Sequence, residues 1–374
     1  GTKVFLVEGL NAETGQWESV RNGQRYSGFQ TGVQLANRTG ALNEIEFSEF
    51  VLKTQQFDRS LLDGLCELTT TVRRYAKHRE GLHFLRGLLS EKRAMLYFTQ
   101  PSTRTFLSFN NACQILGIQT SEIRDSATSS EVKGESLLDS LRTFSSYVDV
   151  VIMRTKEEGL AESAAELFDR IHRRVPIVNA GSGKDQHPTQ ALLDIYTLER
   201  SFMHRGGIDG KVIGMMGDLK RGRTVRSLSY LMKNYRDVKL VFISPPAFRM
   251  EEDIKAHLRE HGVTFTETED MEAALPSLDA IYITRIQDEH DVSGESSKVD
   301  LSRFKFRVEH LAKLKEDGVI MHPLPRRDEI HPDVDNDPRA KYWRQERNGM
   351  WMRVAILTKI FGVDRYLQQG SLLD

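Results

Sequence analysis

Apolar positions recur along this chain with two different periods. From residue 58, Leu61, Leu65, Leu68, Val72 and Tyr75 fall at steps of four and three, the spacing of one helix face, with Asp58 placed to cap its start. Further on, short apolar runs predict strands at residues 94–98, 148–153, 176–178, Val212–Met216, 240–243, Ala280–Ile283 and Val319–Met321. Helical patterns lie between most of them, at Thr103–Leu116 and at 136–147, 190–200 and 224–233. Strands separated by helices make parallel sheets with helices on both faces. Gly206-Gly207 marks a loop near mid-chain, and an apolar-rich helix predicted over 350–361 must pack on something. Residues 1–45 look different: 3–7 reads as a strand and Asn22-Gly23 as a hairpin turn, a small β-rich appendage. The chain shows no internal repeat and no low-complexity tract.

Composition narrows the class. A length of 374 residues suggests two domains of ordinary size. Apolar content of 39%, 28% charged residues and a net charge of −1 suit a soluble enzyme and give no reason to expect nucleic acid or an anionic membrane. The longest apolar runs, such as Val150-Val151-Ile152-Met153, are strand-sized, and the start lacks a secretion signal, so a cytoplasmic enzyme is expected. Cys66 and Cys113 each stand alone in a helix-like stretch and read as two buried thiols.

Polar clusters sit where the predicted strands end, which is where open α/β sheets bind ligands. Strand 94–98 runs into Gln100-Pro101-Ser102-Thr103-Arg104-Thr105, and strand 148–153 into Arg154. Strand 176–178 leads through a glycine-rich loop to His187-Pro188-Thr189-Gln190. Val212–Met216 precedes Gly217-Asp218-Leu219-Lys220-Arg221-Gly222-Arg223-Thr224. Ala280–Ile283 precedes Thr284-Arg285-Ile286-Gln287, and Val319–Met321 precedes His322-Pro323-Leu324-Pro325. One arginine after a strand is ordinary surface; Arg104, Arg154, Arg223 and Arg285 at four strand ends predict a cationic cleft in a nearly neutral protein.

Ser102–Thr105 opens a helix, whose free N–H groups and positive dipole end suit an anion, with hydroxyl donors and the planar fork of Arg104 beside them. A Ser-capped helix with an exposed Arg accounts for this segment equally well. Several other chemistries fail on the residues. Gly181-Ser182-Gly183-Lys184-Asp185 resembles a P-loop fragment, but Val178 stands where its first glycine belongs and Asp185 where a Ser or Thr would hold magnesium. No GxGxxG follows a strand, no GxSxG elbow is present, and His187 and His322 lack partners at metal-ligand spacing.

Together these segments resemble the aspartate and ornithine carbamoyltransferase family over roughly residues 46–365. Ser102-Thr103-Arg104-Thr105 matches the family's carbamoyl-phosphate motif, and His187-Pro188-Thr189-Gln190 with Ala191-Leu192-Leu193-Asp194 matches its second. Gly217–Lys220 with Gly222-Arg223-Thr224, and Thr284–Gln287 with His322–Pro325, are similar to the aspartate branch; the ornithine branch carries a cysteine where Leu324 stands. The charges agree, because a dicarboxylate needs cationic partners such as Arg223 and Arg285.

The resemblance implies two three-layer α/β domains with parallel sheets beside the appendage of residues 1–45. Residues 46–187, with a C-terminal helix from 348–374, would bind carbamoyl phosphate, and 188–347 aspartate. The implied reaction is carbamoyl transfer to the amine of L-aspartate, as in pyrimidine biosynthesis, without cofactor or metal. Ornithine, putrescine or an acylated ornithine as acceptor, and a non-catalytic scaffold, are the alternatives. The resemblance assigns Ser102, Thr103, Arg104, Thr105 and Arg154 to the phosphate, with Ser129 and Lys133 lent by the next subunit of a trimer. It assigns Thr105, Arg154 and His187 to the carbonyl oxygen, and Gln190 with the backbone at Leu324 and Pro325 to the carbamoyl amide. Arg223, Arg285 and Gln287, with Lys133, would hold aspartate. A regulatory chain or a dihydroorotase is a further partner class that the resemblance admits. The chain departs from the family at Gln100 (usually Glu), Phe106 (Arg), Asn110 (Glu) and His290 (Arg). The residues at the positions of Gln100 and His290 help hold the family's two domains closed.

Overall fold

Asp58 opens the first long helix, α1 (Arg59–Tyr75): its carboxylate accepts the Leu61 amide at 2.8 Å, while Leu62, Leu65, Leu68, Val72 and Tyr75 turn inward. The computed structural model describes residues 7–10, 17–21, 24–26, 50–125, 134–182, 187–286 and 299–368. The first large sheet holds β4 (Phe50–Val51), β5 (Arg93–Phe98), β6 (Gln119–Ile123), β7 (Val150–Thr155) and β8 (Ile177–Ser182). Its order is β4-β8-β7-β5-β6, parallel throughout. Helices α2 (Arg79–Gly87), α3 (Thr103–Leu116), α4 (Leu137–Phe144) and α5 (Leu160–Arg170) connect it.

After α6 (Pro188–Phe202) the chain builds a second parallel sheet from β9 (Val212–Met216), β10 (Lys239–Ile243), β11 (Thr264–Thr268), β12 (Ala280–Ile283) and β13 (Val319–Met321), in the order β11-β10-β9-β12-β13. Helices α7 (Arg223–Leu231), α8 (Glu252–Glu260) and the short α9 (Met271–Ala274) belong here. Then α10 (Tyr342–Ile360) runs back to pack against α6, α3 and α1, and α11 (Asp364–Gln368) follows. No described helix is long and apolar enough to cross a membrane.

Alternation along each strand divides the core. Ala94, Leu96 and Phe98 of β5 and Ile213 and Met215 of β9 join one large cluster that also takes in α6 and α10. Met95 and Tyr97 face a second cluster with α5, and Met216, Ile281 and Ile283 a third. Packed among the other helices, α6 and α10 are buried on most of their sides, and polar Gln190, Asp194, Gln345, Asn348 and Arg353 are buried with their apolar neighbours.

The order of strands fixes where ligands can go. In the first sheet the chain leaves β5 toward β6 on one side and returns to β7 on the other. In the second it leaves β9 toward β10 and returns to β12. Each pair of diverging exits is a switch point that opens a crevice at the strands' carboxyl ends.

Several expectations need correcting in detail. β7 extends to Thr155, so Arg154 lies inside the strand rather than beyond it, paired with Phe98 of β5. The last long helix begins at Tyr342, a full two turns earlier than its apolar stretch. Cys113 is fully buried as expected, but Cys66 is only half-buried. At the N-terminus, β1 (Val7–Leu10), β2 (Trp17–Arg21) and β3 (Gln24–Tyr26) form an antiparallel sheet in which Arg21 pairs with Gln24. Residues 3–6 and Asn22-Gly23 lie outside the described residues.

Candidate active site

At the first switch point, Ser102 adopts extended geometry (φ −162°) before α3, and its side chain makes no capping bond. The first-turn amides of α3 therefore remain available to a ligand, and the anion reading of this segment gains over the capping one. Thr105 is buried beside them, while Arg104 is exposed. Arg154 comes from β7. It is buried, its Nη1 donates to Ala180 O at 3.2 Å, and its Nε has no partner among the described residues. Gln100 N donates to Arg154 O at 3.2 Å and ties the β5 exit to β7.

His187 caps the entry to α6. Its Nε2 lies 3.4 Å from Arg154 Nη1, and its backbone N–H donates to Ser227 Oγ at 3.3 Å. Gly181 makes this approach possible: with φ +115°, an added Cβ would stand 2.6 Å from Arg154 Nη1 and 3.2 Å from His187 Cδ2. Burial pushes the His187 pKa well below the ordinary histidine value, and Arg154, Arg223 and Arg353 push it the same way, so the imidazole is neutral at pH 7. Burial and the charges of Arg223, Arg353 and Arg104 likewise disfavour the charged form of Arg154. Since an arginine keeps its proton, that crowding expresses a demand for a bound anion.

The second switch point supplies the facing wall. Gly217 (φ +118°) lets the β9 exit pass against β12, where a Cβ would stand 2.1 Å from Thr284 O. Asp218 is buried and accepts from Arg221 N and Nε at 3.0 and 2.8 Å, bracing the turn that presents Arg223 at the start of α7. Beyond β13, His322 accepts the Leu324 amide at Nδ1 (2.8 Å), and its Nε2 meets Glu329 at 2.7 Å. Leu324 itself holds φ +51°, a conformation costly for a non-glycine residue and common at functional loops.

These exits converge on one cleft of about 810 Å³. Ser102, Thr103, Arg104, Thr105, Arg154, His187, Gln190, Arg223, Arg285, Leu324 and Pro325 all line it. Ser129, Lys133, Gln287 and His290 lie outside the described residues. The cleft also takes in Lys156, Arg327, Glu346 and Arg353, which the sequence reading did not single out. Arg353 is buried, donates to Ser108 Oγ at 2.7 Å and lies over the Phe109 ring; burial lowers its pKa to about 10. One signal for it existed: a lone arginine inside the apolar run Trp351–Ile360.

Below the cleft floor lies a buried carboxylate, Asp194. It accepts from Gln190 Nε2 (3.0 Å) and Gln345 Nε2 (2.7 Å) at Oδ1, and from the Tyr282 hydroxyl (2.8 Å) at Oδ2. Gln345 Oε1 in turn accepts the His322 amide at 3.0 Å. Of the residues that depart from the family pattern, Gln100 lines the cleft with Oε1 buried and unpartnered among the described residues. Phe106 packs edge-on against Phe98 at 5.5 Å with Arg124 over its ring, and Asn110 accepts from Thr120 Oγ1 at 3.2 Å.

Two family models match the chain in series: the aspartate/ornithine carbamoyltransferase carbamoyl-P binding domain over residues 50–200, and the Asp/Orn binding domain over 209–360. The chain belongs to the aspartate/ornithine carbamoyltransferase family. Aspartate carbamoyltransferase 1, chloroplastic, of Pisum sativum is 42% identical to this carbamoyltransferase over 313 residues, 82% of this chain and 77% of the relative. The aspartate carbamoyltransferase catalytic subunit of Thermococcus gammatolerans is 41% identical over 313 residues, 84% of this chain and 97% of its own. Among solved structures, aspartate transcarbamoylase of Trypanosoma cruzi in complex with aspartate and phosphate superposes with a TM-score of 0.73 at 34% identity, covering 83% of this chain and 95% of that one. In this carbamoyltransferase, Ser102 through Gln190 fall within the first matched domain and Arg223 through Arg353 within the second, so the cleft is built by both.

Proposed function

We infer that this chain transfers the carbamoyl group of carbamoyl phosphate to the amine of L-aspartate, giving N-carbamoyl-L-aspartate and phosphate. The observation that carries this reading is the convergence of Arg104, Arg223 and Arg285 from three strand exits, and of Arg154 from within β7, on one cleft with a neutral His187. Two anionic substrates need such a site, and only a fixed cationic wall holds them together against their repulsion. Solved Trypanosoma cruzi relatives are in complex with carbamoyl phosphate and aspartate, and with carbamoyl aspartate and phosphate, which supports the same pair of ligands here.

The amine nitrogen attacks the carbonyl carbon, the new C–N bond forms, and the C–O bond to phosphate breaks. The departing phosphate takes the amine proton, so no side-chain base is required. Ser102, Thr103, Arg104 and Thr105 at the start of α3, with Arg154, hold the phosphate. Thr105, Arg154 and His187 face the carbonyl oxygen, where charge develops. Nε2 of the imidazole faces the Arg154 guanidinium. Once substrate engages that guanidinium, neutral His187 is free to carry its proton on Nε2 and donate it. Gln190, with the backbone at Leu324 and Pro325, orients the carbamoyl amide. Arg223, Arg285 and Gln287 hold the carboxylates. Glu346 lies inside this cationic wall; burial raises its pKa, and Arg353 and Arg104 work against that rise.

The division of labour follows the two sheets: residues 46–187 with the C-terminal helix for carbamoyl phosphate, 188–347 for aspartate. Ser129 and Lys133 complete the site from the neighbouring subunit of a homotrimer in the cytoplasm. Purified protein is assayed with carbamoyl phosphate and, in turn, aspartate, ornithine, putrescine and acetylornithine. Carbamoyl aspartate alone is the expected product; turnover of another amine at a comparable rate overturns the acceptor assignment.

A further inference from the structure

A second concave site, of about 380 Å³, shares no lining residue with the cleft. It lies where α1, α6 and the first turns of α10 meet, and five cations line it: Arg73, Arg200, Lys341, Arg344 and Arg347. We propose that this pocket binds a polyphosphate group, the linear run of phosphates found in inorganic tripolyphosphate and in nucleoside triphosphates.

Charge accounting carries the proposal. Among the described residues no carboxylate lines the pocket, and none of the five cations forms an ion pair. Several arginines elsewhere on this chain do find acids: Arg59 with Asp63, Arg205 with Asp317, Arg226 with Glu251, Arg326 with Asp335 and Arg339 with Asp337. In a chain of net charge −1, five unneutralised cations in one concavity are a local accumulation. Like charges at that spacing repel, and the repulsion is relieved only by an anion or by dilution in water. Lys341 registers the crowding: burial lowers its pKa and Arg344 lowers it further, with Asp337 only partly offsetting them.

The floor is built rather than loose. Asn348 is buried, donates through Nδ2 to Thr197 Oγ1 at 3.0 Å, and accepts at Oδ1 from Arg73 Nη1 at 3.3 Å. Arg73 Nη1 also reaches the Tyr196 hydroxyl at 3.2 Å, so this guanidinium is held in place before any ligand arrives. Lys341 is the N-cap of the 19-residue α10, and the positive end of that helix adds to the field. A single phosphate would leave most of this volume and most of these charges unused, whereas a chain of phosphates spans them. Among the described residues no aromatic ring lines the pocket to stack on a base, so the phosphates are the part of such a ligand that these cations engage.

The test titrates the full chain with tripolyphosphate, orthophosphate, ATP and GTP by calorimetry at physiological salt, with the cleft filled by a bisubstrate mimic bearing a phosphonate and two carboxylates. One tripolyphosphate per chain is expected, ATP and GTP binding equally and orthophosphate far more weakly. In the double variant Arg344→Ala/Arg347→Ala, whose residues are exposed and outside the cleft, affinity should fall by about tenfold or more with turnover and thermal midpoint unchanged. Unchanged affinity in that variant overturns the proposal, as does tripolyphosphate binding that disappears when the cleft is filled. A glutamate peptide of equal charge binding more tightly than tripolyphosphate also overturns it, in favour of a surface for an acidic protein segment.

Discussion

Arg285 leaves the end of β12 half-buried, and its Nη1 donates to Ile286 O at 3.1 Å, which fixes the guanidinium against its own backbone at the cleft edge. A cation held in this way meets a carboxylate with little rotamer entropy left to lose. Replacing Arg285 with Ala should weaken the use of aspartate by about 2–5 kcal/mol, the cost of removing one partner of a desolvated charge pair. Binding of carbamoyl phosphate should change little, because Arg104 and Arg154 come from the other sheet. Steady-state kinetics in both substrates separate the two; a raised KM for carbamoyl phosphate with normal aspartate use would mean the two sheets have exchanged roles.

At the scale of elements, Asp194 joins three of them. Gln190 shares its helix α6, Tyr282 sits on β12 and Gln345 on α10, and Gln345 in turn holds the His322 amide that begins the Leu324 loop. One carboxylate thus ties α6 to β12, to α10 and, through Gln345, to the loop after β13. Burial raises its pKa from an ordinary 3.8 to about 7 despite these donors. The sign is that of an acid held neutral by the fold: its contribution to stability is full below about pH 4 and is lost as pH rises toward 7, a span worth ~4 kcal/mol. Asp194→Asn cannot ionise, and the Tyr282 hydroxyl can turn from donor to acceptor to meet the new amide. Denaturant midpoints measured from pH 4 to 8 should therefore decline less in the variant than in the natural chain. Parallel profiles would show that Asp194 does not titrate in this range.

At the scale of the whole molecule, the proposed loan of Lys133 by a neighbouring subunit would leave the cleft incomplete in a single chain. Arg104→Ala removes a chain's own phosphate fork but still lends Lys133, and Lys133→Ala does the reverse. Each variant alone should be nearly inactive. After subunit exchange under mild denaturation, every mixed ring of three has one junction where an intact fork meets an intact lysine. An equal random mixture then recovers roughly a quarter of natural activity, as head-to-tail ring symmetry requires. Activity assays before and after exchange, with the mass in solution, read this out. Full activity in Lys133→Ala alone, or in a monomer, rejects the shared site.

Sequence alone determined the elements whose interactions are local or whose burial is complete. Val212–Met216, Ala280–Ile283 and Val319–Met321 are continuous apolar runs because both their faces are covered, and the structure keeps those bounds. Thr103–Leu116 is likewise bounded by its extended Ser102 and by Gly117 in the left-handed region. Two polar edge strands were illegible: Gln119–Ile123 and Thr264–Thr268 have mostly exposed polar side chains, so no apolar run marks them. The motif residues at the strand exits could be named from the chain, since a ligand contact constrains residue type directly. Their convergence could not. The two strand orders place exits from distant parts of the chain at two facing switch points, and α10 brings Glu346 and Arg353 into the cleft some 200 residues after Arg154. A neutral His187 is expected from the sequence only on the condition that it packs among arginines, and the sequence does not show that Asp194 is pushed to about 7 or that five cations of α1, α6 and α10 share one pocket. Burial and proximity to charge decide those properties, and both exist only once non-local packing has brought the helices and sheets together.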